Sequence, residues 1–359
     1  MERRKIIVAG GVLGGLGVLL AYFGNPVNMG ICVACFIRDI AGGLGLHRAA
    51  PVQYIRPEII GFILGAFLIA LKNGEFRARG GSSPLIRFFM GVAMMIGALV
   101  FLGCPLRMVL RLAAGDLNAL VGLGGFIFGI FIGVQFLKKG FSLGRSQKLP
   151  TTNGLVIPAF ALILLILLVL APGFIYFSES GPGAAHAPIL LALGAGLLVG
   201  VLVQRTRLCQ AGCFRDLMLI RDPHLLYGTI AIFVAALVLN IAFGYFKLGF
   251  LEQPVAHTEA LWNFIGLAVV GLGATLLGGC PLRQVILAGE GDTDAAMVFL
   301  GLLAGAAVAH NFGLAASGTG VPVAGKIGVL VAASFLVIIG FAFSLPLPVS
   351  KKGGNTLGL

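Results

Sequence analysis

Stretches of about 20 apolar residues recur from one end of this chain to the other, and that feature closes off most folds. Such a run matches the hydrocarbon thickness of a bilayer, where backbone polar groups must be satisfied within the segment itself. The expected fold class is an all-α polytopic membrane protein. Ten spans are expected, near 6–23, 57–72, 85–103, 117–137, 155–177, 189–204, 226–247, 261–279, 295–313 and 326–346. Only 11% of the 359 residues are charged, against about a quarter in soluble domains. The opening "MERRKIIVAGGVLGG" has the charged start and apolar run of a signal peptide. No small-residue cleavage site follows, so it reads as an uncleaved first span.

Lys and Arg set the orientation. With the N-terminus inside, the inner loops collect Arg3, Arg4, Lys5, Lys72, Arg77, Arg79, Arg87, Lys138, Lys139, Arg145 and Lys148. They also collect Arg205, Arg207, Arg215, Arg221, Lys351 and Lys352, whereas the outer loop "SESGPGAAHAP" has no basic residue. Both termini are therefore expected in the cytoplasm, in a multi-pass protein of the cell (inner) membrane. The net charge of +12 is largely accounted for by topology and calls for no nucleic acid.

The chain also repeats itself. "GCPLRMVLRLAAGD" (103–116) aligns without gaps on "GCPLRQVILAGEGD" (279–292), and "CVACFIRD" (32–39) matches "CQAGCFRD" (209–216) at nearly the same offset. Each copy runs span, Cys-rich segment, span, span, GCP segment, span. One copy starts on an odd crossing and the other on an even one, which predicts inverted repeats with short re-entrant helices at the Cys motifs. The expected divisions are 1–137, first repeat; 138–153, cytoplasmic linker; 154–187, extra span and outer loop; 188–316, second, inverted repeat; and 317–359, final span and tail.

In each GCP motif a span ends and proline follows at once. Proline suits the first position of a helix, so Cys104 and Cys280 are expected as N-caps of short helices beginning at Pro105 and Pro281, with Gly103 and Gly279 easing the turn. A helix N-terminus offers free N–H groups and partial positive charge, which favour an anion and activate a thiol placed there. Arg107 and Arg283 follow three residues on, near the same helix face. In the other motif Cys32 and Cys35 precede Arg38-Asp39, and Cys209 and Cys213 precede Arg215-Asp216. All six cysteines thus fall in the doubled motifs. Arg111 faces Leu287 in the alignment, which predicts a more positive first site. Asp116 and Asp292 are expected to cap the next spans.

Blander readings compete. A lone membrane cysteine is usually a small apolar filler, and Cys32-x-x-Cys35 is also a metal-ligand and a thiol-exchange spacing. Arg38-Asp39 and Arg215-Asp216 would serve equally as local ion pairs. Arg107 and Arg283 are harder to dismiss, because charge at membrane depth is costly. His310, Asn311 and Asn240 read as interhelical hydrogen-bonding residues. No Walker sequence, Rossmann fingerprint or large soluble domain occurs, which argues against ATP-driven transport by this chain alone; the chain is read as a transporter and not an enzyme, with a redox relay left open. No cofactor or bound metal is expected.

"NMGICVACFIRD", "RTRLCQAGCFRDL" and "GGCPLRQVILAGEGD" resemble the YeeE/YedE sulphur-transport family of prokaryotic membrane proteins, most closely its YedE selenium-metabolism branch. The resemblance implies a permease for thiosulfate or a related sulphur or selenium anion, passed between thiols by S–H hydrogen bonds. On that pattern Cys104 and Cys280 are the central thiols and Cys32, Cys35, Cys209 and Cys213 the flanking ones. Arg107, Arg283, Arg38, Arg215 and Arg111 are the charges expected to attract the anion. The extra cysteine in each first motif departs from members with one thiol per constriction. It keeps a transmembrane thiol-disulfide oxidoreductase open as the alternative, with a soft-metal transporter behind it. A cytoplasmic sulphur-carrier or selenium-handling protein is an expected partner class, alongside the lipid bilayer.

Overall fold

The computed structural model describes residues 2–344. Lys351, Lys352 and the end of the last expected span lie outside the described residues. The helices in chain order are α1 (Glu2–Tyr22), α2 (Val33–Gly43), α3 (Pro57–Lys72), α4 (Pro84–Phe101), α5 (Pro105–Ala113), α6 (Leu117–Lys138), α7 (Thr151–Gly154), α8 (Val156–Leu170), α9 (Ile189–Thr206), α10 (Gln210–Ile220), α11 (His224–Ala242), α12 (Ala260–Leu276), α13 (Pro281–Gly289), α14 (Thr293–Asn311) and α15 (Val323–Ala342). Arg79–Gly80 and Gln147–Lys148 form a two-residue antiparallel pair. The chain is a polytopic helical membrane protein. Among the described residues nine helical stretches are long and apolar enough to cross a bilayer.

The fifth expected span, 155–177, is shorter than its apolar run. Helix α8 stops at Leu170 because Ala171 takes a left-handed conformation and Pro172 and Gly173 follow. At its start Leu155 keeps helical dihedrals between α7 and α8, so helical backbone continues from Thr151 to Leu170. The two ends of α8 lie at opposite ends of the bundle. Preceding it, Leu149 donates to Ala78, beside the contact of Arg77 with Glu290. Following it, Tyr176 and Ser178 donate to Gly43 and Gln53.

Helix packing is exchanged between the two halves. Helix α1 packs on α11 as α9 packs on α3, and α6 packs on α12 as α14 packs on α4. Glycine makes these contacts close. A Cβ at Gly129 of α6 would run into the carbonyl of Ala268 on α12, and one at Gly301 of α14 into that of Phe88 on α4. Without a hydrophobic drive between helices in lipid, such backbone approach supplies the packing. The loops trade partners likewise. Residues 77–79 bond the turn after α13, through Arg77 to Glu290 and Arg79 to Gly291, and Lys247 and Gly249 bond the turn after α5 at Ala114 and Gly115.

Gly129→Ala is expected to push α6 off α12 and cost about 1–3 kcal/mol, read as a lower unfolding temperature in detergent. Gly124→Ala, where a Cβ would rest 3.8 Å from the Phe264 ring, should leave that temperature unchanged.

Candidate functional site

Four short helices begin inside the bundle, and a cysteine stands at the N-cap of each. Cys32 caps α2, Cys104 caps α5, Cys209 caps α10 and Cys280 caps α13, all with extended backbone. The expected positions of Cys104 and Cys280, with Pro105 and Pro281 opening the helices, are those observed. The Cys32 and Cys209 thiols cap directly. Each sulphur accepts a backbone N–H three residues on, from Cys35 and from Gly212, both at 3.3 Å.

These caps meet in two groups. In the first, Cys32 Sγ lies 2.8 Å from Cys35 Sγ and within side-chain hydrogen-bonding reach of Cys104. In the second, the Cys280 N–H donates to Cys209 Sγ at 3.3 Å, and the two thiols are within bonding reach of each other. The halves differ at the remaining cysteines. Cys35 aligns with Gly212, so Cys213 sits one position further round its helix. Its thiol donates to the Gln210 carbonyl of its own helix at 2.9 Å. All six cysteines are buried, and none forms a disulfide.

The five arginines do different jobs. Arg107 is buried and folds back on backbone, donating to the carbonyls of Asn28 and Val255 at 3.0 and 3.1 Å and to that of Leu102. It also approaches Cys35 Sγ at 3.7 Å. No carboxylate pairs with it among the described residues, so it brings uncancelled positive charge to the first thiol group. The Leu102 carbonyl it holds belongs to a left-handed residue, φ 61°, a conformation disfavoured for a branched side chain. In the second copy that place is Gly278, φ 81°; its carbonyl accepts from Arg215 Nη1 at 3.4 Å, while Gln284 donates to the flanking carbonyls of Leu277 and Gly279. Arg283 pairs with Glu290 at 3.0 Å.

Arg111 is a correction to the sequence reading. It lies in a fully buried ion pair with Asp116 at 2.6 Å, so its charge is cancelled locally and does not make the first site more positive. Asp116 also accepts from the Asn118 N–H, and Asp292 from that of Ala295, capping α6 and α14 as expected. Arg38 and Arg215 pair with their neighbours Asp39 and Asp216 at 2.6 and 2.8 Å. Asp39 is shared with Arg56 at 2.8 Å. The sequence reading missed Arg56, and its mid-chain position before Pro57 carried no signal. Its guanidinium also lies over the Phe36 and Tyr54 rings.

Two vestibules flank the thiols. One, of about 560 Å³, is lined by Cys209 with Arg205, Arg207, Arg215 and Arg283. It shares Arg207 and Arg283 with a neighbouring hollow that adds Arg77 and Arg79. Glu75 lies on this side, its carboxyl held below the usual range by Gln204 and then Arg205. The other vestibule, of about 450 Å³, is lined by Arg38, Leu102 and Val255, and by His310, Gly313 and residues 315–318. Leu102 lies two residues before Cys104. His310 was read as an interhelical hydrogen-bonding residue. Instead its ring stacks on His47 at 4.5 Å, and Nε2 has no hydrogen-bond partner. Asn311 does bridge, to the Leu46 carbonyl at 2.9 Å. Among the described residues no group of three or more His, Cys, Asp or Glu is arranged to hold a metal ion.

Comparison with known proteins bears on one half of this arrangement. Residues 205–345, which include the Cys209 and Cys280 helices, match the family model described as Sulphur transport. The thiosulfate transporter TsuA of Spirochaeta thermophila is 34% identical over 116 residues, 32% of this chain and 34% of that protein. The thiosulfate transporter TsuA of Escherichia coli is 34% identical over 104 residues, 29% of each chain. The chain thus spans about a third of the length of the curated relatives it matches.

Asp116→Ala strips Arg111 of its counter-ion and α6 of its cap, at an expected cost of about 3–5 kcal/mol. Asp292→Ala removes the matching cap and an exposed pair with Arg79, for about 1 kcal/mol. Thermal unfolding of the two purified variants against wild type measures the difference.

Proposed function

We propose that the chain is a permease for a small sulphur- or selenium-containing anion, with thiosulfate as the reference substrate. One observation carries this reading: cysteine-capped helix starts from both halves converge in the bundle, with a vestibule on either side of them. A dianion crossing a bilayer needs donors and positive potential, but no donor strong enough to trap it. S–H groups are weak donors matched to a soft sulphur or selenium atom. Helix N-termini and the unpaired Arg107 supply the potential. The arginine-lined vestibule raises the local anion concentration at Cys209. The substrate passes from one thiol group to the next by exchanging hydrogen bonds, and no covalent bond is made or broken. The named activity of the two relatives supports this reading, as does the match to a sulphur-transport family over the Cys209 and Cys280 helices.

On this reading the halves are inverted repeats, an arrangement supported by the exchanged helix and loop contacts. The basic vestibule faces the cytoplasm, as do both termini, by the positive-inside rule. The membrane is then the inner membrane, and a soluble sulphur-carrier or selenium-handling protein would meet the chain at that vestibule. A second reading, a thiol-disulfide relay, is favoured by the 2.8 Å approach of Cys32 and Cys35. It demands reversible oxidation of that pair, whereas the permease works with every thiol reduced.

Uptake of labelled thiosulfate into proteoliposomes under reducing conditions separates them. Wild type is expected to concentrate label, Cys104→Ala and Cys280→Ala to lose at least tenfold in rate, and Cys213→Ala to retain most activity. Absence of wild-type uptake, together with a Cys32–Cys35 disulfide that titrates reversibly, would sink the permease in favour of the relay.

A further inference from the structure

The vestibule lined by Arg38 and His310 has chemistry of its own. Arg38 spends Nε and Nη2 on Asp39, and among the described residues no hydrogen bond engages its Nη1. His310 presents a ring whose buried Nε2 has no partner. Buried polar nitrogens in folded proteins are nearly always paired, so an orphan beside a cavity points to a group that enters and pairs with it. His47 ties the two residues together. Its ring stacks on His310 at 4.5 Å, and its Nε2 contacts the Arg38 carbonyl at 3.0 Å. Its Nδ1 accepts from the Ala49 N–H, so Nε2 carries the proton, and both nitrogens of His47 are occupied. His310 is the free one.

The rest of the wall is largely apolar, with Val52, Pro182, Val255 and Ala316 among its residues. The cavity, of about 450 Å³, has room for a small oxyanion and several waters at about 30 Å³ each. Polar donors at one edge, apolar lining elsewhere and Leu102 beside the thiol helix suit an ion that is hard at one end and soft at the other.

We propose that this cavity is a separate anion-binding site ahead of the thiols. In it Arg38 and His310 hold the oxygens of a sulphur oxyanion and leave its terminal sulphur toward Leu102 and the start of the Cys104 helix. The proposal rests on the permease reading and deepens it by naming a capture site. The second copy's vestibule differs: Arg205, Arg207, Arg215 and Arg283 line it, three of them paired with carboxylates.

The test is equilibrium binding of thiosulfate to the purified full-length protein in detergent, by calorimetry, where sidedness does not matter. His310→Phe keeps the stack on His47 and removes the ring nitrogens, so it should fold and weaken binding about tenfold, the loss of one hydrogen bond to an anion. His310→Gln restores an N–H donor and should bind within about threefold of wild type. Asn311→Ala, on the same turn, should leave affinity unchanged. Binding by His310→Phe within twofold of wild type overturns the capture site while leaving the permease standing. Absence of thiosulfate binding by wild type removes both.

Discussion

A helix that begins inside a membrane leaves its first N–H groups without water to meet them, and the centre of this molecule is organised around that constraint. Four helices begin there. In lipid each unsatisfied group costs several kcal/mol, so each start needs an acceptor. At two of the four the acceptor is a cysteine sulphur, bonded to Cys35 N–H and Gly212 N–H, and in the second half the Cys209 sulphur also accepts from Cys280 N–H. On the permease reading, a thiol is a weak enough acceptor to give way when an anion arrives. A Ser or Asp cap would hold the same N–H groups more tightly and compete with the anion for them.

The same constraint explains how the halves diverge. The turn before each GCP helix needs a left-handed residue, supplied by Gly278 in one copy and Leu102 in the other. Glycine takes that conformation freely, whereas leucine must be held. Arg107 turns inward onto the Leu102 carbonyl, whereas the Gly278 carbonyl is met by Arg215, and Arg283 pairs with Glu290 and lines the vestibule. Two identical pentapeptides therefore end with opposite electrostatic roles. One puts an unpaired charge beside buried thiols, and the other adds a paired charge to a solvated funnel.

Much of this was legible in the sequence because it depends on local spacing. Apolar run length determined the membrane class and nearly every helix. The Gly-Cys-Pro order determined the N-caps at Cys104 and Cys280, since proline tolerates the first helical position and little else in a helix. Asp116 and Asp292 announced the next helices for the same kind of reason. The span drawn furthest past its helix, 155–177, failed where Ala171 left the helix ahead of Pro172 and Gly173, signals that apolarity outweighed.

Tertiary structure decided what spacing cannot reach. Whether Cys104 meets Cys32, some 70 residues away, depends on how α5 and α2 pack, and a shift of one residue moved Cys213 about 100° round its helix and onto its own backbone. Arg111 looked like an anion attractor until packing paired it with Asp116, and His310 looked like an ordinary interhelical residue until its neighbours left its nitrogen unpartnered. Sequence determines which groups are available and in what helical phase. Only the folded chain determines which donors are consumed by backbone and carboxylates and which remain free.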